Sequence, residues 1–452
     1  MASRSGTWRL TTRPAGAKRG VTGGVQSVTA TTAGAGSNSN RRVLTASLVG
    51  TAVEFYDFYI YATAAALVFP QLFFPKSSDS AQLLQSYATF AVAFFARPVG
   101  AAFFGHFGDR IGRKSTLVAS LLTMGVSTLL IAFLPSYAMV GWVAPFLLCL
   151  LRFGQGFGLG GEWGGAALLA VENAPPGWKA RFGMFPQLGA PVGFIAANGL
   201  FLLLGLGLSP EAFVDWGWRL PFLASAILVG LGLWVRLKIS ETPDFQKAMA
   251  EAEPSHVPMA ETIKRHPGAL IAGTFAVVAC FALFYLSTAF ALGYGTTKLG
   301  YGRETFLGVQ LVAILFLAGG IIAAGYAADA SNPRRVLMGG CFATVAVGLA
   351  MGAMMGAGSL LFILAWLSLA LFAMGFVYGP LGAFLPSLFP PRVRYTGASL
   401  SFNVGGIIGG GMAPIAAQAL ADQGGLSLVG SYLVAAGVLS LAGLWFCRPP
   451  AD

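Results

Sequence analysis

The sequence predicts an all-α integral membrane protein, with twelve transmembrane helices in two pseudo-symmetric six-helix bundles. Three observations carry that expectation. Apolar runs of about 20 residues recur along the chain, each long enough to cross a bilayer as a helix. Only 10% of the 452 residues are charged and the mean hydropathy is +0.72, whereas a soluble chain carries roughly 25% charged residues. Short motifs in the first half of the chain recur in the second at nearly one offset. Backbone polar groups in lipid must be satisfied within the segment, so continuous apolar runs are read as helices. A β-barrel would need dyad alternation, and the runs show none.

The twelve spans are expected at 43–69, 82–106, 114–134, 140–170, 183–208, 218–238, 268–292, 304–327, 335–356, 358–386, 395–421 and 427–447. Residues 43–238 then form the first bundle and 268–447 the second. A polar, charged loop at 239–267 separates them, and 448–452 closes the chain. The first 42 residues are rich in Ser, Thr, Gly and Arg and lack an apolar core, so a disordered cytoplasmic tail is expected there.

Orientation follows from Lys and Arg. Most of the loop cations fall on the side that carries both termini and the central loop. The opposite loops hold only Lys76, Lys298 and Arg303. Both termini are therefore expected in the cytoplasm, with the protein in the cell (inner) membrane. This bias accounts for the net charge of +11, so no nucleic-acid partner is invoked. Cys149, Cys280, Cys341 and Cys447 lie in or at the end of apolar runs without a CxxC. Neither a metal site nor a disulfide framework is suggested. No cofactor is called for, and no nucleophile–base pair or phosphate loop points to an enzyme.

The repeat is visible in two motifs. "GHFGDRIGRK" (105–114) stands between spans 2 and 3, and "GYAADASNPRR" (325–335) between spans 8 and 9. Pro175-Pro176 after span 4 is matched by Pro390-Pro391 after span 10. A duplicated six-helix unit places a substrate path at the interface of the halves, near the midplane.

The loop "GHFGDRIGRK" resembles the signature of the major facilitator superfamily at every fixed position. Six further stretches resemble its metabolite:proton symporter family, which includes proline/betaine, shikimate and 2-oxoglutarate carriers: "VEFYDFYIYA" (53–62), "FARPVGAAFFGHFGDRIGRK" (95–114), "LRFGQGFGLGGEWGGAALLAVENAPPG" (151–177), "WGWRLPF" (216–222), "ETPDF" (241–245) and "RYTGASLSFN" (394–403). The resemblance implies secondary active transport: proton-coupled uptake of a small carboxylate-bearing metabolite, an organic acid or a proline- or betaine-like zwitterion. It also implies a cytoplasmic latch that holds one conformation and releases in the other. Its candidate members are Gly105, Asp109, Arg110, Gly112, Arg113, Lys114, Glu162, Glu172, Asp329 and Arg334. Two positions depart from the family pattern, Ser387 where many relatives carry Glu and Ala330 where a basic residue follows the Asp.

Within the membrane, charged residues mark function by default. Glu54, Asp57 and Tyr61 share one helical face at i, i+3 and i+7. Arg152 lies mid-span, with Gln155 on its face. Either carboxylate is a candidate proton carrier, and Asp57 is favoured because Tyr56, Phe58 and Tyr59 crowd it. Arg152 is expected either to compensate a carboxylate or to hold the cargo. Gln187, Asn198, Tyr285, Tyr378 and Asn403 are further candidates for lining the path. The expected partners are a small metabolite, protons and the lipid bilayer, with the monomer as the working unit. "QLGAPVGF" (187–194) faintly resembles the span-5 motif of drug/proton antiporters, which leaves an exporter as the alternative.

Overall fold

The computed structural model describes residues 40–111, 113–160, 162–238, 258–391 and 393–447, with the side chains of 40–43, 46, 105–111, 113–117, 162, 235–238 and 258 left out. The expected tail is thus described only from residue 40, the central loop only from 258, and 448–452 lies outside the described residues. The helix Pro258–Arg265 leads into the second half.

Eight helical segments are long and apolar enough to cross a membrane, and the bent pair Pro210–Gly217 and Arg219–Trp234 makes a ninth. The segment Arg394–Phe446 is two spans, because Gly424 and Gly425 leave helical geometry and Gly425 takes φ 69°. That left-handed conformation suits a residue without a Cβ. Asn40–Leu67 and Arg113–Ile131 complete twelve segments. Several spans are broken. Span 4 is Val143–Leu159 followed by Glu162–Glu172, and span 5 is Lys179–Gln187 followed by Gly189–Gly207. Spans 7 and 11 each contain a π-helical turn, Leu286–Phe290 and Ile407–Gly411.

Each half packs on itself. Span 1 lies against span 5, spans 2 and 3 against span 4, span 8 against span 10, and span 9 against span 12. Lipid-like surroundings give helices no hydrophobic reason to associate, so small residues that allow close approach take that role. Gly156 and Gly160 show it: a Cβ on Gly156 would strike the Ala93 backbone, and one on Gly160 the Arg97 carbonyl. Spans 2 and 4 therefore touch backbone to backbone, which fixes Arg97 and Arg152 as neighbours.

The halves meet through symmetry-related pairs, span 2 with span 11 and span 5 with span 8. On the face of the central loop, Asp329 of span 8 accepts hydrogen bonds from the backbone N–H groups of Ala180 (2.8 Å) and Arg181 (3.0 Å) and from Arg181 Nε (2.9 Å). Deeper on that face, the Trp163 and Phe402 rings stack at 3.8 Å, and Asn403 Nδ2 donates to the Gly160 carbonyl at 2.9 Å. On the opposite face, Tyr87 donates to the Ala289 carbonyl (2.8 Å) and Ser80 donates to Asp422 (3.0 Å), which Lys298 of its own half also pairs with (3.6 Å). Arg303 lies 3.8 Å over the Phe213 ring of the other half. Among the described residues, contacts join the halves on both faces, and the central residues Asp57, Arg97 and Arg152 are no more than 5% exposed.

Candidate functional site

The site is built on span 1. Its residues 56–66 are buried throughout, and its aromatic side chains meet both halves. Tyr59 stacks on Phe284 of span 7, and Phe58 packs edge-on against Phe90 and Phe94 of span 2. Tyr285 closes the wall against Phe90 and Phe94.

Asp57 is 1% exposed. Its Oδ1 accepts from the Ser225 hydroxyl of span 6 at 2.5 Å, and its Oδ2 from the Thr128 hydroxyl of span 3 at 3.3 Å. Gln155 Nε2 donates to Thr128 Oγ1 at 2.6 Å, and Arg152 Nη1 donates to Gln155 Oε1 at 2.8 Å. Asp57 and Arg152 are thus joined by a chain of hydrogen bonds through Thr128 and Gln155. The direct ion pair that the sequence allowed between them is not formed, because Gln155 and Thr128 stand between them. Glu54 is also buried, and it is an electrostatic neighbour of Arg97.

Arg152 is fully buried. Its guanidinium carbon lies 4.1 Å from the Phe58 ring centroid, 4.0 Å from Tyr61 and 4.8 Å from Phe90. Aromatic faces attract a cation through their quadrupole and replace part of its lost hydration. Tyr61 serves as such a platform, with its hydroxyl donating to Thr89 at 2.7 Å. The Nε and Nη2 of Arg152 have no hydrogen-bond partner. Those two nitrogens form the side of the guanidinium fork that a carboxylate meets with both oxygens.

The other candidates divide into two groups. Thr63 donates to Asn198 Oδ1, and Asn198 Nδ2 has no partner. Gln187 Oε1 accepts from Trp163 Nε1 at 3.3 Å, and its Nε2 is unpartnered. Tyr285 faces the arginines. Tyr378 is buried beside Trp163, and Asn403 is engaged in the contact between halves. A cavity with room for about one water lies between Tyr59, Thr63, Phe194, Thr288 and Gln310. Gln310 Nε2 donates to the Ser287 and Thr288 carbonyls that the π turn of span 7 presents.

Of the latch candidates, Asp329 bridges the halves and Glu172 is exposed. Arg334 departs from expectation. It donates to the Leu444 and Trp445 carbonyls (2.7 and 2.8 Å), so it caps the C-terminus of the last helix within its own half. A cation there meets the negative end of the helix dipole. Ser387 donates to its own helix at Phe384. Gly105, Asp109, Arg110, Gly112, Arg113, Lys114 and Glu162 lie outside the described residues and side chains.

Four contributors were not picked out from the sequence. Thr128 and Ser225 are single hydroxyls in apolar spans, which carry no signal alone. Arg181 reads as one more loop cation. Arg97 did carry a signal, as a charge inside the apolar run "AVAFFARPVG".

Residues 43–260 match the family described as Sugar (and other) transporter. The inner membrane metabolite transport protein YhjE of Escherichia coli (strain K12) is 50% identical over 414 residues, covering 90% of this chain and 94% of that protein. The chain belongs to the major facilitator superfamily. It is a membrane transporter and not an enzyme. The shikimate transporter of Escherichia coli (strain K12) is 39% identical over 406 residues, covering 88% of this chain and 92% of that one. Among solved structures, the partially occluded inward-open xylose transporter XylE from E. coli has a TM-score of 0.70 at 16% identity, covering 91% of this chain and 98% of that chain. At that identity the likeness concerns the fold of the carrier.

Proposed function

We propose that this carrier is a proton-coupled symporter of the inner membrane, taking up a small carboxylate-bearing metabolite by alternating access of its two halves. The observation that carries the cargo class is Arg152: a fully buried cation whose Nε and Nη2 have no partner. A buried polar group left unpaired is costly. A carboxylate arriving there removes the cost and gains a bidentate, charge-assisted contact. The 39% identity to a shikimate transporter, whose named cargo is a carboxylic acid, supports the same class.

The proton is assigned to Asp57. Ionised, Asp57 accepts from both Ser225 and Thr128. Protonated, it donates to Thr128 Oγ1, whose own hydroxyl turns to the Met124 carbonyl at 2.9 Å. The chain to Gln155 and Arg152 survives in both states, while protonation removes a negative charge from its Asp57 end; an anionic cargo at Arg152 is then repelled less, so proton and cargo favour each other's binding. Glu54 remains as the second carboxylate of the same helix face. In this account both termini are cytoplasmic, the monomer is the working unit, lipid surrounds the spans, and the Asp329 contact belongs to a cytoplasmic latch.

Transport into proteoliposomes under an imposed proton gradient tests the direction. Carboxylates that raise the melting temperature of the purified protein serve as cargo, since binding stabilises the folded state. Accumulation on the alkaline side is expected. Accumulation on the acidic side would instead support a proton-coupled exporter.

A further inference from the structure

Arg97 is the second arginine buried at the centre, and the proton-and-cargo account above leaves it without a role. It is 5% exposed and its Nε has no hydrogen-bond partner. Its guanidinium carbon lies 4.4 Å from the Phe58 ring centroid and 4.8 Å from that of Phe94. Arg152 lies 4.1 Å from the same Phe58 ring. Two cations therefore gather around one phenyl ring, and the backbone contact of Gly160 with Arg97 keeps them there. Like charges this close repel strongly away from water. Glu54 lies in electrostatic reach of Arg97, whereas Asp57 is turned toward Ser225 and Thr128. With Asp57 protonated, the four groups carry one net positive charge.

The aromatic wall decides between the two cargo classes that the sequence left open. An aromatic cage without internal cations suits a quaternary or primary ammonium group. Here the faces of Phe58, Tyr61, Phe90 and Phe94 are already occupied by the protein's own guanidinium groups. A cargo ammonium approaching Phe58 would meet the two arginines already seated against that ring.

We propose that Arg97 and Arg152 form one anion site, so that the cargo is an organic carboxylate with net negative charge and betaine- or proline-like zwitterions are excluded. This rests on the assignment of Arg152 as carboxylate receptor, and it adds Arg97 as a second binding residue that sets charge specificity.

The test is a melting-temperature screen of the purified full-length protein and its Arg97→Gln and Arg97→Lys variants. The probes are benzoate, cyclohexanecarboxylate, shikimate and succinate, the matching uncharged amides, and glycine betaine and proline. The wild type is expected to be stabilised by carboxylates and by neither amides nor zwitterions. Arg97→Gln is expected to lose at least about tenfold in apparent affinity for the stabilising carboxylate, with Arg97→Lys in between. Should Arg97→Gln fail to purify as a monodisperse species, the Lys variant gives the same comparison. Equal carboxylate affinity in wild type and variants would overturn the role of Arg97 and leave Arg152 as sole receptor. Stabilisation of the wild type by zwitterions would overturn the charge rule. If no carboxylate stabilised the wild type, the carboxylate assignment itself would fall with it.

Discussion

At the scale of single residues, the centre of the carrier is a chain from Asp57 through Thr128 and Gln155 to Arg152. Its two charged ends and Gln155 were legible in the sequence, because polar groups inside apolar runs stand out. Thr128 and Ser225 were not, since a lone hydroxyl in a span usually bonds its own helix. Thr128 does that too, through Met124, and its second contact exists only in three dimensions. Thr128→Val keeps the shape and deletes the hydroxyl. Because the hydroxyl would link the proposed proton site to the proposed cargo site, the variant should bind carboxylate within about threefold of wild type. Its ratio of proton flux to cargo flux should fall. An unchanged flux ratio would remove Thr128 from the coupling path.

At the scale of elements, span lengths and the break near Gly424–Gly425 were readable, because apolar run length and helix-breaking glycines report them directly. The π turns of spans 7 and 11 and the breaks in spans 4 and 5 were not. They arise where carbonyls are re-partnered between helices, as Gln310 does for Ser287 and Thr288. The glycines of span 4 stand out in the sequence, but the helix they meet does not. Gly156 meets the backbone of Ala93, whereas Gly199 has nothing within 4 Å of a built Cβ. Gly156→Val should therefore lower the melting temperature sharply or prevent recovery of folded protein, at a cost of about 1–3 kcal/mol or more. Gly199→Ala should be neutral to slightly stabilising. Equal tolerance at both positions in a detergent melting series would show that the span 2–span 4 contact is looser than described.

At the scale of the whole molecule, the duplicated motifs made the two halves legible, and the contacts between them supply what the repeat alone could not. Asp329 holds the N-terminus of the helix Lys179–Gln187 from the opposite half and pairs with Arg181. An anion at a helix N-terminus is favoured by the dipole and by the free N–H groups. The repeated motif "GYAADASNPRR" pointed to Asp329, whereas its partner Arg181 reads in the sequence as one more loop cation. Asp329→Ala should weaken closure of that face while leaving the opposite seal at Ser80, Lys298 and Asp422 intact. Spin-label distances across the two faces would widen only on the central-loop side. Widening on both sides, or on neither, would deny the contact its latch role.

The proposed coupling of proton movement to cargo movement rests on Asp57. Its most direct test compares wild type and Asp57→Asn in proteoliposomes, using the carboxylate that stabilises the wild type. Uphill accumulation driven by a proton gradient and gradient-free exchange of labelled for unlabelled cargo are measured on the same vesicles. The variant is expected to exchange cargo at a rate near wild type but never to accumulate it. Full accumulation by the variant, abolished by a protonophore as in wild type, would contradict that coupling.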